Sequence, residues 1–560
     1  MKFYDLDQAK PFGKETLGGK GFGLAEMHAL GVPVPSAIII PTEVCVAYMK
    51  DPAPVVQWVN DNVTAIYEAL SAPTQSWPLV SVRSGARVSM PGMMDTILNV
   101  GLDDSTFTHW QKVLGTDCVL DCRRRLVKMF GSVVHGLKME SENVESAMLE
   151  WAKSMGGAAF PDAEQQLASS IIAVFNSWNN ERAVYYRKMN NIPDEWGTAV
   201  VVQRMVFGNL NDKSATGVMF TRDPNTGDPG AVGEYLVNGQ GEDVVDGSHT
   251  PLPLIQMKKW NKGRYNDLIS AGTKLESHFG DVQDIEFTIE DGKLFILQTR
   301  SAKRTSQAAV KIALSYWNEG KMGGKPGLGM RLKRLVTFDQ LCKVDVATVG
   351  KTKKHSFMGI AACSGVVIGK PVFTAEDAIN CKEPCILVTE ETTPEDIQGM
   401  DKALGVLTMN GGHTSHAAVV ARSMNKPCIV GLGLEWHEAL KTFNVDKIAI
   451  DGATGRVWLH EVPVLGGKCV EKDLLIEKVA SLLGTPVVGV GIYDATQQLG
   501  AHDIAGVGDH CTKNALTPFS RDMTPLEKDF FSLFGPTIHT VPAFAPETVS
   551  GMQLMKALLG

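Results

Sequence analysis

The chain has 560 residues and a formal net charge of 54 − 62 = −8, with 44% of residues hydrophobic and 21% charged. At about 150 residues per domain, that length predicts three to four domains with buried cores. The charge excludes the global positive field that nucleic acid or an anionic membrane surface would need, so neither is an expected partner. The longest apolar runs are short, as at 37–41, far from the ~18–20 residues of a spanning helix. The opening MKFYDLDQAK carries acids and no apolar stretch, so no signal peptide is expected. Ten cysteines without a CxxC pair predict reduced thiols in a cytoplasmic chain. Cys118/Cys122 and Cys381/Cys385 each lack the second pair that structural zinc requires.

In chain order, the first 100 residues alternate short apolar runs with Gly and Pro, as an α/β domain does. FGLAEMHAL (22–30) predicts a helix stopped by Gly31 and Pro33, and SAIIIPT a buried strand. Helical spacing dominates 105–195. Over 198–300, β-rich segments return, with DIEFTIE and KLFILQT predicting a hairpin across Glu290-Asp291-Gly292. Residues 301–354, rich in Lys and Gly, read as an extended, solvated linker with some helix. A compact α/β block follows over 355–460. The tail, 461–560, opens with a helix over 471–483, then the strand-like TPVVGVGIYD and a capping box at Thr524-Pro525-Leu526-Glu527. The expected fold class is α/β and α+β multidomain, divided as 1–300, 301–354, 355–460 and 461–560.

The sharpest local feature is GGHTSHAAVVARSMNKP (411–427). Thr414-Ser415 can cap a helix starting at His416, and the small apolar residues after it let that helix pack closely on a sheet. His416 then stands at a positive helix terminus, beside free N–H groups. A neutral imidazole there can attack phosphorus; equally, it is an ordinary helix-start histidine. Upstream, LGGKGFGLAEM puts Lys20 in a glycine-rich loop where an ammonium can meet phosphate. SVRSGARVSMPGMMDT brings Arg83 and Arg87 beside small residues that let backbone approach an anion. On the predicted hairpin, alternation places Asp284 with Glu286 on one face, and Gln298 with Arg300 likewise. Carboxylates beside arginine suit a Mg²⁺–triphosphate; a solvated hairpin face with a surface ion pair is the plain alternative.

In this order the motifs resemble the pyruvate, phosphate dikinases and their relatives, the phosphoenolpyruvate synthases. LGGKGFGLAEMHALGVPVP, SVRSGARVSMPGMMDTILNVGL, TGVMFTRDPNTG, GEYLVNGQGEDVVDG and DIEFTIEDGKLFILQTR are similar to that family's nucleotide-binding domain, an ATP-grasp fold. GIAACSGVVIGKPVFTAEDA, TPEDIQGM and GGHTSHAAVVAR resemble its swivelling phosphohistidine domain. The resemblance implies an ATP-dependent phosphotransferase in which His416 carries the phosphoryl group. It implies that Lys20 and Arg83 grip ATP phosphates, and that Asp284, Glu286, Gln298 and Arg300 line the nucleotide site. Glu286 and Gln298 are the implied Mg²⁺ ligands, with Thr221, Glu234 and Gln240 as further nucleotide contacts. Thr414 matches a threonine phosphorylated in some dikinases; helix capping accounts for it as well.

Two departures stand out: Phe22-Gly23 follow the lysine loop, and His413 stands where the family commonly has Met. The dikinases continue into a TIM barrel that binds pyruvate, and about 100 residues after His460 are too few for one. The expected acceptor is therefore pyruvate, yielding phosphoenolpyruvate, on a separate barrel subunit, or another acceptor protein or molecule. The tail's His502, Asp503, Asp509, His510, Cys511 and His539 read as a polar loop or as metal or acid–base groups. The alternative to an enzyme is a nucleotide-binding regulator or decoy of a full-length dikinase. Such a decoy would need neither His416 nor the residues implied at the nucleotide site.

Overall fold

Runs of β-branched residues between Gly and Pro build four sheets among the described residues of the computed structural model, which are 1–71, 77–139, 141, 143–244, 251–352, 354–433, 445–483, 555, 556 and 558. The chain divides into two compact units: Met1–Thr221, Ala231–Lys303 and Thr352–Val462 form the first, and Arg222–Gly230, Arg304–Lys351 and Pro463–Gly560 the second. No helix among the described residues is long and apolar enough to cross a membrane. The expected strand at 485–494 and the capping box at 524–527 lie outside the described residues.

In the first unit, strands β1 (Tyr4–Asp5), β2 (Ala37–Ile40), β3 (Val80–Ala86), β4 (Thr96–Val100) and β5 (Thr198–Arg204) form an antiparallel sheet in the order β1-β2-β5-β3-β4. Both faces of its centre are apolar, so the strand sequences AIII and TAVVVQR read as continuous rather than alternating runs. Ile38, Ile40, Val80, Val82, Val200 and Val202 pack into a core with the helices Thr116–His135 and Ala163–Ser177. Ala37, Ile39 and Val201 face the other way, into a second core with Leu17, Leu24, Ile285 and Phe287. Helices run through most of 104–189.

The second sheet takes β6 (Ala215–Arg222), β7 (Pro229–Val237), β8 (Leu252–Pro253), β9 (Gln283–Glu290) and β10 (Lys293–Ser301), in the order β10-β9-β6-β7-β8. Asp291 (φ 42°) and Gly292 (φ 76°) turn the β9–β10 hairpin, both with the positive φ that a two-residue hairpin turn needs. Register pairs Glu286 with Gln298 and Asp284 with Arg300.

After β11 (Thr348–Val349) come the eight strands of the third sheet. These are β12 (Phe357–Met358), β13 (Ile360–Cys363), β14 (Val366–Val372), β15 (Cys385–Thr389), β16 (Gly405–Thr408), β17 (Cys428–Val430), β18 (Ile448–Asp451) and β19 (Arg456–Trp458). β14 to β17 run parallel, with helices Ala375–Asn380, Ile397–Lys402 and His416–Met424 in the crossovers. The third helix lays Ala417, Ala418, Val420 and Ala421 against Val406, Cys428 and Val430. His416 thus opens a helix just beyond the carboxyl end of β16, where open parallel sheets place their chemistry.

In the second unit, three helices, Ser306–Asn318, Leu328–Leu335 and Phe338–Lys343, occupy much of the stretch read as an extended linker. Arg222 anchors its loop there, with both terminal nitrogens on Glu319 (2.7 and 2.8 Å) and its guanidinium 4.7 Å from the centre of the Tyr316 ring. β11 pairs with β20 (Val464–Leu465), and the helix Val470–Leu483 packs on Ser306–Asn318.

One glycine tests the packing of the lysine loop. Gly18 (φ 65°) breaks the helix Lys14–Ala29, and a Cβ there would run into the Gly85 carbonyl oxygen; Gly31 (φ 68°) has open space around it. Both alanine variants carry the left-handed cost of about 1–2 kcal/mol. Gly18→Ala also forces the backbone apart, so its urea midpoint should fall clearly further than that of Gly31→Ala. Equal falls would rule out the Gly18–Gly85 contact.

Candidate active site

The break at Gly18 aims Lys20 back along β3. Its Nζ donates to the Ser84 carbonyl at 2.7 Å. The sequence suggested a loop ahead of a helix at 22; the helix instead spans Lys14–Ala29 around the kink, with Lys20 just beyond it. Burial and the repulsion of Arg83 pull the Lys20 ammonium down to about 7, against the attraction of Glu286.

Arg83 lies on β3 opposite Val201, on the face turned to the second sheet. It donates to Glu286 Oε2 at 2.7 Å, to Gln298 Oε1 and Gln203 Oε1 at 3.3 Å, and to the Leu297 carbonyl at 3.5 Å. Two residue pairs along the hairpin, on the same face, Arg300 Nε donates to Asp284 Oδ2 at 2.8 Å. Burial opposes charge on Glu286, but Arg83, Arg300 and Lys20 outweigh it and hold the carboxyl below its ordinary value. For Asp284 burial prevails over Arg300 and raises it. Its Oδ1 is buried without a partner, as is Gln203 Nε2. Six residues singled out in the sequence, Lys20, Arg83, Asp284, Glu286, Gln298 and Arg300, therefore form one cluster. Arg87 stands apart, with its guanidinium 5.3 Å from the centre of the Trp196 ring.

His416 occupies the first turn of its helix, and Ser415 is the N-cap residue but makes no side-chain cap. Thr414, read as a cap, does something else: its hydroxyl donates to Glu234 Oε2 at 2.6 Å, and the His413 amide donates to Glu234 Oε1 at 3.1 Å. Arg422 NH2 donates to the His413 carbonyl at 2.7 Å and closes the loop from below. His416 Nδ1 lies 3.1 Å from Thr392 Oγ1, and Nε2 is buried with no hydrogen-bond partner. Burial takes the ring down to about 4, against the pull of Asp396 and Glu395, with Arg182 lowering it further. At neutral pH the imidazole is therefore uncharged.

The histidine touches the SMPGMMDT loop. A Cβ on Gly92 would sit 3.1 Å from His416 Cδ2, 3.3 Å from Nε2 and 3.2 Å from Pro394. Around it, Ile397 packs with Met90, Met93 and Tyr186, Tyr185 Oη donates to Asp401 at 2.9 Å, and Arg182 pairs with both Asp95 and Glu395. Sequence reasoning missed Gly92, Arg182, Gln203 and Thr392 as neighbours of these groups; Glu234, grouped with Thr221 and Gln240 as an implied nucleotide contact, holds the loop before His416. Of the other two residues in that group, Thr221 Oγ1 accepts from the Gln283 amide at 3.0 Å. Gln240 Nε2 reaches Cys122 Sγ at 3.2 Å, beside the pairing of Arg125 with Asp121, Glu242 and Asp243.

Residues 51–262 and 255–320 match the family model for the pyruvate phosphate dikinase AMP/ATP-binding domain, and 381–455 that for the PEP-utilising enzyme mobile domain. The chain is 40% identical over 511 residues to the pyruvate, phosphate dikinase of Clostridium symbiosum, covering 82% of this chain and 58% of that protein. It is 39% identical over 516 residues to that of Rhizobium meliloti, covering 81% and 56%. With the chloroplastic pyruvate, phosphate dikinase 1 of Zea mays the figures are 40% over 501 residues, 80% and 52%. The chain thus spans little more than half the length of these curated relatives. A solved D-alanyl-alanine synthetase A from Vibrio cholerae overlaps 51% of this chain and 55% of its own at 9% identity and a TM-score of 0.24, which carries no argument.

The Glu234 clasp is testable without any ligand. Charge-assisted hydrogen bonds contribute about 1.5–3 kcal/mol, so Glu234→Ala should speed hydrogen exchange at the His413 amide by about tenfold or more. An unchanged rate would mean that the carboxylate does not hold the loop.

Proposed function

Because the chain belongs to the pyruvate, phosphate dikinase family, we propose that it catalyses the ATP side of the dikinase reaction, with His416 as the phosphoryl carrier. The observation that carries this reading is the uncharged, buried His416, whose Nε2 has no partner and lies against the SMPGMMDT loop. A neutral imidazole offers a lone pair to phosphorus without adding positive charge.

Lys20, Arg83 and Arg300 would bind the polyphosphate. With Lys20 protonated they carry three positive charges against the two carboxylates Asp284 and Glu286, so an anion completes the balance. The Nε2 lone pair attacks the β-phosphorus of ATP, the α–β bridging bond breaks, and AMP leaves with its electron pair. Phosphate then takes the terminal phosphoryl group as pyrophosphate, leaving phospho-His416 to pass its group to an acceptor. Pyruvate is the proposed acceptor, at a site outside the nucleotide-binding and mobile segments. The nucleotide-binding fold is read as ATP-grasp.

The donor set fits Mg²⁺. Glu286 gives Oε2 to Arg83, and Gln298 Oε1 accepts from the same guanidinium at 3.3 Å; the second carboxylate oxygen and the second lone pair of the amide oxygen are hard donors of the kind such a cation takes. Glu286 and Gln298 would hold the ion, which supplies charge neutralisation of the phosphates. Thr414 is proposed as a regulatory site: a phosphoryl group on its hydroxyl would set a dianion against Glu234. A nucleotide-binding regulator or decoy remains the competing reading, and no feature of the cluster calls for it.

With ATP labelled at the β position and Mg²⁺, the chain should acquire acid-labile, base-stable label that His416→Ala abolishes. ATP binding with no label on His416 would sink the reading and favour the regulator.

Lys20 supplies a second check. Phosphate beside it should raise its ammonium from about 7 back toward the ordinary 10.5. Binding then takes up a proton above pH 7, so affinity is full below that point and falls as pH rises. Calorimetry at pH 8 in buffers of different ionisation enthalpy should detect the uptake. Lys20→Arg, always charged, should abolish it; an equal uptake in that variant would assign the proton elsewhere.

A further inference from the structure

Thr392 stands at the only polar contact His416 makes among the described residues. It is 8% exposed, follows β15, and precedes a tight turn that fixes its backbone. In that turn the Thr393 amide donates to Asp396 Oδ2 at 2.7 Å and the Thr393 hydroxyl to the same oxygen at 3.0 Å. Pro394 meets the Gly92 backbone on the histidine's other side. The Thr392 hydroxyl and His416 Nδ1, 3.1 Å apart, are therefore held from both directions.

Two proton arrangements satisfy that distance. If the hydroxyl donates to Nδ1, the ring proton sits on Nε2, a buried N–H with nothing to accept it. If Nδ1–H donates to the hydroxyl oxygen, the unpartnered atom is a lone pair, and the hydroxyl proton is free to rotate. Orphaned buried N–H donors are rarer than under-used acceptors, because a donor has a single proton to place.

We infer that Thr392 is a positioning residue that holds His416 in the Nδ1–H tautomer and so fixes Nε2 as the atom that meets phosphorus. The inference rests on reading His416 as the phosphoryl carrier. In the transfer, the Nε2 lone pair forms the N–P bond, the α–β P–O bond breaks toward AMP, and the Nδ1 proton stays on the ring. The product is a phosphoimidazolium whose positive charge eases the later N–P cleavage. A threonine oxygen supports this because it accepts the hydrogen bond but cannot take the proton at neutral pH. A carboxylate in its place would draw the proton away and strengthen the N–P bond. Burial that keeps the free ring uncharged acts in the same direction, against Asp396 and Glu395 and with Arg182.

The test uses the full chain labelled with ¹⁵N-histidine, with the His416 signals assigned by their loss in His416→Gln. Long-range ¹H–¹⁵N correlation should show a protonated Nδ1 and a bare Nε2. Thr392→Ser should keep that pattern and label His416 within about threefold of the parent rate. Thr392→Val should mix the tautomers and slow β-label transfer by about tenfold or more, with the KM for ATP and the urea midpoint unchanged. An Nε2–H tautomer in the parent chain would overturn the inference. So would a Thr392→Val variant with unchanged tautomer and rate. If the tautomers respond as expected but no variant, parent included, takes label on His416, the carrier reading fails and the tautomer assignment stands.

Discussion

A guanidinium and a carboxylate facing each other between two sheets set the terms for the rest of this molecule. Arg83 projects from the first sheet and Glu286 from the second, 2.7 Å apart, beside a core of Ile39, Val201, Ile285 and Phe287. Taking two charges out of water costs several kcal/mol per ion, and only close pairing with further hydrogen bonds offsets it. Gln298, Gln203 and the Leu297 carbonyl supply those further bonds. The pair therefore ties the hairpin β9–β10 to β3 in one arrangement, and removing one partner would leave a buried charge at a cost of about 3–5 kcal/mol. Lys20 suffers from the same arithmetic. Burial first, and then the repulsion of Arg83 and Arg300, draw its ammonium down, and as a third cation it makes the cluster favour an anion.

His416, as the proposed nucleophile, meets the opposite problem. A nucleophile approaching a cationic cluster should not be a cation, and burial among Gly92, Pro394 and the helix terminus strips its charge. The local sequence makes that burial feasible. Ala417, Ala418 and Ala421 let the helix lie close on β16 and β17, with its first residue just beyond the carboxyl end of β16. Gly412 does similar work in the loop, where a Cβ would collide with the Glu234 carboxylate.

Much of the cluster was legible because it is written in local pattern. Period-two alternation puts Asp284 with Glu286 and Gln298 with Arg300, and the Asp291-Gly292 turn fixes which pairs face each other. The helix at His416 was legible for the same reason, from small residues after a Gly-Gly turn. Thr414 was read as a cap because a hydroxyl ahead of a helix caps it by default, and only tertiary structure reveals that its hydroxyl donates to a carboxylate 180 residues earlier. Thr392 and Gly92 left no local signal at all. Their roles arise where a crossover turn and a loop from another sheet meet one imidazole. The tight helices of 306–343 were obscured by Gly and Lys, whose composition suggests exposure although Leu328, Leu332, Leu335 and Leu341 are buried.

The proposed transfer to an acceptor requires the contacts between the histidine loop and Glu234 to be weak enough to release. Two charge-assisted bonds to Glu234, the Arg182–Glu395 pair, the Tyr185–Asp401 and Tyr186–Ser423 hydrogen bonds, and Ile397 and Met424 packed with Met90, Met93 and Tyr186 belong to that seam. Exposed ion pairs contribute about 0–1 kcal/mol, and the Glu395 side chain is 63% exposed. Glu234 makes both charge-assisted bonds to the histidine loop itself, so its loss or repulsion shifts the balance by a few kcal/mol. Because one carboxylate grips both Thr414 and the His413 amide, two and three residues before His416, the hold on the loop is sensitive to charge arriving there.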